Sequence, residues 1–291
     1  IFEGTTPTGP FTKIRSFTKQ DLSRPEAPVV SIEGGKLFVG PSGVEMIVST
    51  EKGIAYPEAL GSFQKPGTGV WSIDRIGEAS IEALDSATMT EVQSSGDGAT
   101  LHVKDPVVFD SPAGGTALMF CSHPFGWSSS NTGLAKRGEG EGEFVLQTRS
   151  VLERGATWDV ACARVTDRLA VPQVGLLAGL PPLSLYFYDG AECLRSLDEN
   201  AKAVSRPRGY SCEELGGLAW GWDAEFPKMQ RLSLDFPLFT SPHGTGCSRY
   251  VSTLKTQDGI MATWQQSQPD RSQPLVGNFL YSAAVESQLA G

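Results

Sequence analysis

The sequence has few of the residues and patterns that metal centres, nucleic-acid surfaces and membranes require. Among 291 residues only three are His, and the five Cys stand singly, without Cys-x-x-Cys or paired His spacing, which argues against a zinc site. The net charge of −9, with no clustered Lys or Arg, argues against a nucleic-acid partner. No apolar run reaches the roughly 18 residues of a membrane span. We therefore expect a soluble protein with a neutral or cationic ligand.

The cysteines and the start of the chain leave the compartment open. With five Cys, at least one thiol stays unpaired. Cys121, Cys162 and Cys247 lie in strand-like runs, where a free Cys usually behaves as a small core residue. The chain begins at Ile1 without an initiator Met or a signal peptide, so we expect a processed or trimmed form, with secretion after signal removal as one reading.

The order of the apolar runs predicts an all-β protein. Runs of four to eight residues bounded by Gly, Pro, Ser or Asp recur, and only 191–203 and 281–290 suit short helices. These runs group into five strand-turn-strand units, which must stack to bury their faces: 25–53, 104–137, 157–192, 210–239 and 244–267. This pattern predicts a five-bladed β-propeller as a single domain over 1–291, with a two-sheet sandwich as the alternative.

The two ends of the sequence fit a closed ring of blades. After residue 267 the chain offers one more clear strand, at 274–285, which leaves the last unit one strand short of four. The stretch 1–16 can supply an outer strand there and remove an exposed sheet edge. We therefore expect the N-terminal strand to close the last blade.

Carboxylates stand at the starts of four of these units. Asp105 in "KDPVVF", Glu26 in "RPEAP", Asp159 in "TWDVACARV" and Glu213 or Glu214 in "CEELGG" occupy the positions where inner strands of a propeller converge. Converging carboxylates suit glycoside hydrolysis, in which one carboxylic acid donates a proton and one ionised carboxylate attacks or activates water. The competing interpretation is that each carboxylate accepts hydrogen bonds from N–H groups of its own turn.

Several short motifs resemble the five-bladed glycosidases of glycoside hydrolase families 43, 32 and 62. "KDPVVFDSPAGGTALMFCSH" (104–123) resembles a blade opening of these enzymes, "PTGPFTK" (7–13) the turn before an inner strand, "RPEAP" the acid-bearing segment, and "SPHGTGCSRYV" (241–251) a glycine-histidine turn. Read in the family's order, Asp105, Asp159 and Glu213 would be base, pKa modulator and acid. The order departs from the family at Glu26, which precedes the others and competes for the acid role.

The resemblance also implies a sugar pocket lined by aromatic and cationic side chains. Trp158 adjoins Asp159, and Trp127 follows the stretch "CSHPFG" that contains His123; an indole face stacks well on a sugar ring, although a buried Trp is more often a core residue. Arg164 and Arg249 lie in presumed inner strands and should meet a carboxylate or a ligand. His243 is expected to face the channel, unless it is only a turn residue. No cofactor is expected, apart from a structural calcium in the channel that the resemblance allows.

Together these patterns favour a glycosidase with a carbohydrate substrate. A non-catalytic propeller that binds a glycan or a protein is the alternative from a different class, and a glycoside phosphorylase on the same fold is a variant of the first hypothesis. The sugar, the linkage and the choice between retention and inversion stay open, because the separation of the carboxyl groups decides the stereochemistry.

Overall fold

The computed structural model describes residues 1–40, 43–64, 67–95, 100–123, 130–139, 142–192, 214–270 and 272–290. The described chain is almost entirely antiparallel β-structure. Its internal contacts divide it into two compact units: unit 1 contains residues 1–3 and 11–151, and unit 2 contains residues 4–10 and 152–291.

Unit 1 is built from two four-stranded sheets in which consecutive strands are neighbours. Sheet A contains β3 (Val29–Gly40), β4 (Gly43–Lys52), β5 (Val70–Glu78) and β6 (Thr90–Ser94). Sheet B contains β7 (Val103–Asp110), β8 (Thr116–Ser122), β9 (Asn131–Arg137) and β10 (Val145–Leu152). Strand β7 packs beside β3, β4 and β5, so the first strand of sheet B lies against sheet A.

The core of unit 1 forms where these two sheets meet. Ile47 and Ile73 from sheet A are fully buried in one cluster with Leu118 and Phe120 from sheet B. Consecutive residues are buried along β4, β5 and β8, so both faces of these strands are covered and these side chains lie in the interior. Burying such side chains stabilises the unit by about 1.5–3 kcal/mol each.

In its described residues, 4–10, 152–192, 214–270 and 272–290, unit 2 repeats the pattern with one strand fewer. Sheet C contains β11 (Cys162–Ala170), β12 (Leu183–Ala191), β13 (Leu215–Trp222) and β14 (Gln230–Arg231). Sheet D contains β15 (Ser248–Lys255), β16 (Gly259–Gln266) and β17 (Leu275–Tyr281). Strand β15 packs against β11, β12 and β13.

Two short α-helices and four 3-10 turns complete the described secondary structure. Helix α1 (Lys19–Leu22) begins with a capping box in which Thr18 and Asp21 exchange hydrogen bonds, and helix α2 (Ser282–Leu289) follows the last strand. The 3-10 turns are Glu58–Phe63, Ser86–Thr88, Gly175–Leu177 and Asp223–Glu225. Among the described residues no helix is long and apolar enough to cross a bilayer.

The count of five blades predicted from the sequence differs from the structure, which shows four sheets of blade size in the described chain. The predicted units 157–192 and 210–239 are two halves of sheet C, because β12 pairs with β13 from Leu183↔Trp222 to Gly190↔Leu215. The long sequence interval between these two strands resembled a boundary between blades. The other three units correspond to parts of sheets A, B and D.

The prediction that the N-terminal strand closes the last blade is also wrong for the described chain. Strand β1 (Phe2–Gly4) pairs with β2 (Phe11–Lys13) in a two-stranded sheet of its own, while sheet D has three strands. A local hairpin needs only a short loop, so β2 is a nearer partner than a strand about 260 residues away. Cys121, Cys162 and Cys247 are free and buried, as predicted.

Candidate active site in unit 2

A buried cluster of opposite charges lies where β11, β12, β13 and β15 come together. Arg164 of β11 donates from Nη2 to Asp189 Oδ2 of β12 at 2.7 Å and to Glu214 Oε1 at 3.2 Å. Arg249 of β15 donates from Nη1 to Glu214 Oε2 at 2.6 Å and from Nε to Gln265 at 3.0 Å. Asp189 and Glu214 thus share the Arg164 guanidinium, and the Arg249 guanidinium binds Glu214 as well.

Tyr250 ties the cluster to the backbone of β15. Its amide N–H donates to Asp189 Oδ1 at 3.1 Å and Oδ2 at 3.2 Å, and its ring lies under the guanidiniums of Arg164 and Arg249, at 4.5 and 5.1 Å from the ring centroid. Tyr250 has a φ of 55°, a left-handed conformation that costs a non-glycine residue about 1–2 kcal/mol. Strain of this kind concentrates at functional sites.

The environment pushes the pKa values of the two carboxyl groups apart. Burial, with Arg164 opposing it and Glu214 adding to it, raises the pKa of Asp189 from 3.8 to about 6. Burial acts in the same direction on Glu214, but Arg164 and Arg249 outweigh it and lower the pKa of Glu214 from 4.5 to about 2. Of the two carboxyl groups, Asp189 therefore keeps its proton to higher pH and Glu214 ionises first.

Unit 1 has the same backbone kink, but there the acceptor of the amide N–H is a serine and not a carboxylate. Asp105 in β7 has a φ of 56°, and its N–H donates to Ser49 Oγ of β4 at 2.8 Å, as that of Tyr250 does to Asp189. Both β7 and β15 shift register at this point. A neutral serine therefore performs in unit 1 the structural role that Asp189 performs in unit 2, so the kink alone does not require a carboxylate.

Of the residues predicted from the sequence, Arg164, Glu214 and Arg249 come together in this cluster. Asp105 is buried at the start of β7 in unit 1. Glu26 is exposed in the turn between Arg24 and Ala27, which form an isolated bridge. Glu213 and Trp127 lie outside the described residues.

Asp159 and Trp158 belong to a different group in unit 2. Asp159 is fully buried, and its Oδ2 accepts from Arg231 Nε at 2.8 Å and from the Tyr188 hydroxyl at 3.2 Å. Trp158 stacks on Tyr188 with ring centroids 5.6 Å apart and donates from Nε1 to the carbonyl of Ser233. These partners tie the start of β11 to β12 and β14, which is a structural role.

The two predicted histidines have contrasting environments. His123 is buried in unit 1, where Nε2 lies 3.3 Å from Cys121 Sγ and the ring packs edge-on against His102. Burial lowers the pKa of His102 to about 2, so that imidazole is neutral. His243 is exposed in a turn, where its carbonyl accepts from Gly246 N–H.

Among the described residues no group of three or more His, Cys, Asp or Glu is arranged to hold a metal ion.

Sequence reasoning missed Asp189, Tyr250 and Gln265. Asp189 follows the tyrosines of "SLYFYDG", where the dipeptide Asp-Gly resembles a turn. The available signal was alternation, since Asp189 occupies the same face of β12 as Leu185 and Phe187. A carboxylate that continues an apolar face needs a buried cation, and Arg164 opposite it in the register is that cation.

Comparison with known proteins gives fold-level likeness only. No protein-family model and no curated protein sequence matches the chain. A family 117 glycoside hydrolase from the marine bacterium Zobellia galactanivorans has a similar structure, with a TM-score of 0.55 and 10% identity over 92% of this chain and 71% of that one. An α-L-arabinofuranosidase from Lactobacillus brevis gives 0.54 and 11% over 88% and 74%.

A thermostable family-43 glycoside hydrolase gives a TM-score of 0.51 and 12% identity over 86% of this chain and 72% of that one. At these identities the likeness shows the fold alone, which is an all-β propeller. Its sheets A to D are the described blades. The chemistry has to be argued from the residues of the cluster.

Proposed function

We propose that this protein hydrolyses glycosidic bonds, with Asp189 as the proton donor and Glu214 as the ionised carboxylate. The observation that carries the proposal is the pair itself: two carboxyl groups share Arg164, one pKa is raised to about 6 and the other is lowered to about 2. Carboxyl groups whose environments drive their pKa values apart are the usual basis of acid and base roles in one site.

The geometry supports a double-displacement mechanism. Since Arg164 Nη2 bonds to both, the Asp189 and Glu214 oxygens that it holds lie within about 5.9 Å of each other. This upper limit is below the roughly 6.5–9.5 Å of inverting enzymes and allows the roughly 5–5.5 Å of retaining ones. Asp189 would give its proton to the leaving oxygen while Glu214 attacks the anomeric carbon. Water would then release the sugar, with Asp189 taking back a proton.

Arg249 and Tyr250 form the exposed part of the cluster, which a sugar would contact first. Both side chains are partly exposed, whereas Arg164 and Asp189 are almost fully buried. The aromatic ring can stack on a sugar face, and the guanidinium can donate to hydroxyl groups. They would position the glycosidic bond over the two carboxyl groups.

Asp105 and Asp159, both predicted from the sequence to be catalytic, each have a local structural environment that bears on that prediction. The left-handed backbone of Asp105 has a structural explanation, because Asp tolerates this conformation better than most other residues with a side chain. The ion pair of Asp159 with Arg231 supports a structural role. The catalytic roles of Asp105 and Asp159 therefore stay predictions from the sequence, and the proposal rests on Asp189 and Glu214.

A panel of aryl glycosides with good and poor leaving groups tests the proposal. Asp189→Asn should lose most turnover on poor leaving groups and keep more on activated ones, which need little protonation. Glu214→Gln should lose both. Asp235→Asn, which changes an exposed carboxylate of unit 2, is the matched control and should act as wild type. Equal turnover by all variants would contradict the assignment.

Glycan binding without turnover is a second candidate, favoured by a specific observation. Each oxygen of both carboxylates already accepts a hydrogen bond within the cluster, and Asp189 is only 1% exposed. A wild-type protein that binds oligosaccharides but releases no product from any substrate of the panel would establish this function in place of hydrolysis.

A further inference from the structure

Unit 1 contains a cavity of about 480 Å³ at the end of sheets A and B where β3 turns into β4 and β7 turns into β8. Asp105 stands at the opposite end of β7, since it lies near the start of that strand and Asp110, which lines the cavity, is its last residue. No residue of the Arg164 cluster belongs to this cavity. A volume of this order fits a small organic ligand.

The buried side of the cavity is a charge-paired centre. Glu45 accepts from Arg137 through both oxygens, at 2.8 and 3.0 Å, and from Arg75 Nη2 at 2.6 Å. Burial acts against the charge of Glu45, but the two guanidiniums prevail and lower its pKa. Arg137 is 5% exposed, stacks over the Phe144 ring at 4.7 Å, and its Nε has no hydrogen-bond partner among the described residues.

The outer side of the cavity carries acceptors. Glu78, Asp110 and Glu139 line it and form no ion pair with any described residue. Arg75 is one quarter exposed at its side chain, so it offers N–H donors to the same space. The lining of the cavity therefore contains both guanidinium donors and carboxylate acceptors.

We propose that this cavity binds a neutral saccharide. An inorganic or carboxylate anion is disfavoured, because the lining holds four carboxylates against two guanidiniums and Glu45 already neutralises much of the positive charge. A polyol offers what both sets of groups need: hydroxyl hydrogens for the carboxylates and hydroxyl oxygens for the guanidiniums. A cation would satisfy the carboxylates but would offer no acceptor to the partly exposed Arg75, so the mixed lining favours a sugar without charge.

Calorimetric titration tests the proposal, with xylotriose, arabinotriose and mannotriose as neutral probes and with spermidine and inorganic phosphate as charged probes. The titrations use the Asp189→Asn background, which blocks turnover and leaves the cavity residues in place. At least one neutral probe should bind. Ala79→Leu narrows the cavity at an exposed lining residue, and Asp110→Ala removes an exposed acceptor; each should weaken binding about tenfold or more.

The control is Asp235→Ala in unit 2, which should leave the affinity unchanged. Failure of all neutral probes to bind, or saccharide binding that ignores both cavity variants, would overturn the proposal. Stronger binding of spermidine, lost in Asp110→Ala, would replace the sugar with an organic cation and also overturn it. Because these titrations measure binding in a turnover-deficient protein, their result stands apart from success or failure of the hydrolysis assay.

Discussion

Replacing Glu214 with Gln is expected to destabilise unit 2 strongly. The substitution keeps the shape but removes the charge that neutralises Arg164 and Arg249, whose side chains are 4% and 24% exposed. Removing one partner of a buried ion pair costs about 3–5 kcal/mol, and the partial exposure of Arg249 together with the remaining amide oxygen places the expected loss near the lower end, at about 3 kcal/mol. For a unit of this size, that loss lowers the melting temperature by about 6–12 °C.

Thermal unfolding followed by circular dichroism measures this loss, with Glu225→Gln as the matched control. Glu225 pairs with Lys228 at 3.7 Å, and the two side chains are 55% and 80% exposed, so the control should change the stability by less than about 0.5 kcal/mol. If the two variants melt within a degree or two of each other, the Glu214 charge does not stabilise unit 2, which contradicts this prediction.

Three further predictions concern pH, a glycine and Asp105. Because the pKa of Asp189 is raised from 3.8 to about 6, its stabilisation is present below 3.8 and lost as pH rises through 6, whereas that of Glu214 is present above 4.5 and lost as pH falls towards 2. The melting temperature should therefore peak near pH 4 and, in Asp189→Asn, show no decline between pH 4 and 6 from this source; an identical decline in the variant would contradict the shift. Gly115→Ala and Gly67→Ala both place Ala at a φ of about 70–77°, but only at Gly115 would the new Cβ meet the backbone carbonyl at the end of β9. Urea unfolding should show a loss of about 1–2 kcal/mol for Gly67→Ala and at least 2 kcal/mol more for Gly115→Ala, and equal losses would refute the packing argument. Asp105→Asn should keep the melting temperature, since Asn tolerates the left-handed conformation, and should keep the wild-type kcat on an aryl glycoside, because the proposed acid and nucleophile lie in unit 2; a loss of kcat at an unchanged melting temperature would show that Asp105 is catalytic and would contradict the assignment.

Local pattern was sufficient to predict the strands and their hairpin pairs, because alternation and turn residues are properties of short segments. The stretch 104–137 does form three successive strands of sheet B, with β8 between β7 and β9. Blade boundaries depend on which hairpins share a sheet, and the sequence interval between β12 and β13 concealed that they pair. The strand pairs that lie far apart in sequence were therefore the ones that failed.

In the candidate site, too, the residues with a local signal were predicted and those that depend on distant strands were not. Arg164 and Arg249 were predicted because a cation in an inner strand must meet a carboxylate, and Glu214 is the carboxylate that they share. Asp189 escaped prediction because Asp-Gly resembles a turn and because its partners come from two other strands: Arg164 from β11 and the Tyr250 amide from β15. A pKa shift that depends on burial and on three separate strands has no signature in any short segment of sequence.

The pH dependence of kcat/KM for an aryl glycoside with a poor leaving group, with an activated aryl glycoside for comparison, tests the acid and base assignment most directly. In the wild type, kcat/KM should fall as pH rises through about 6, where Asp189 loses its proton, and should hold at lower pH until Glu214 is protonated near 2. In Asp189→Asn the fall near pH 6 should disappear while residual turnover of the activated substrate persists. An unchanged fall near pH 6 in that variant, at wild-type rates, would show that Asp189 does not supply the proton.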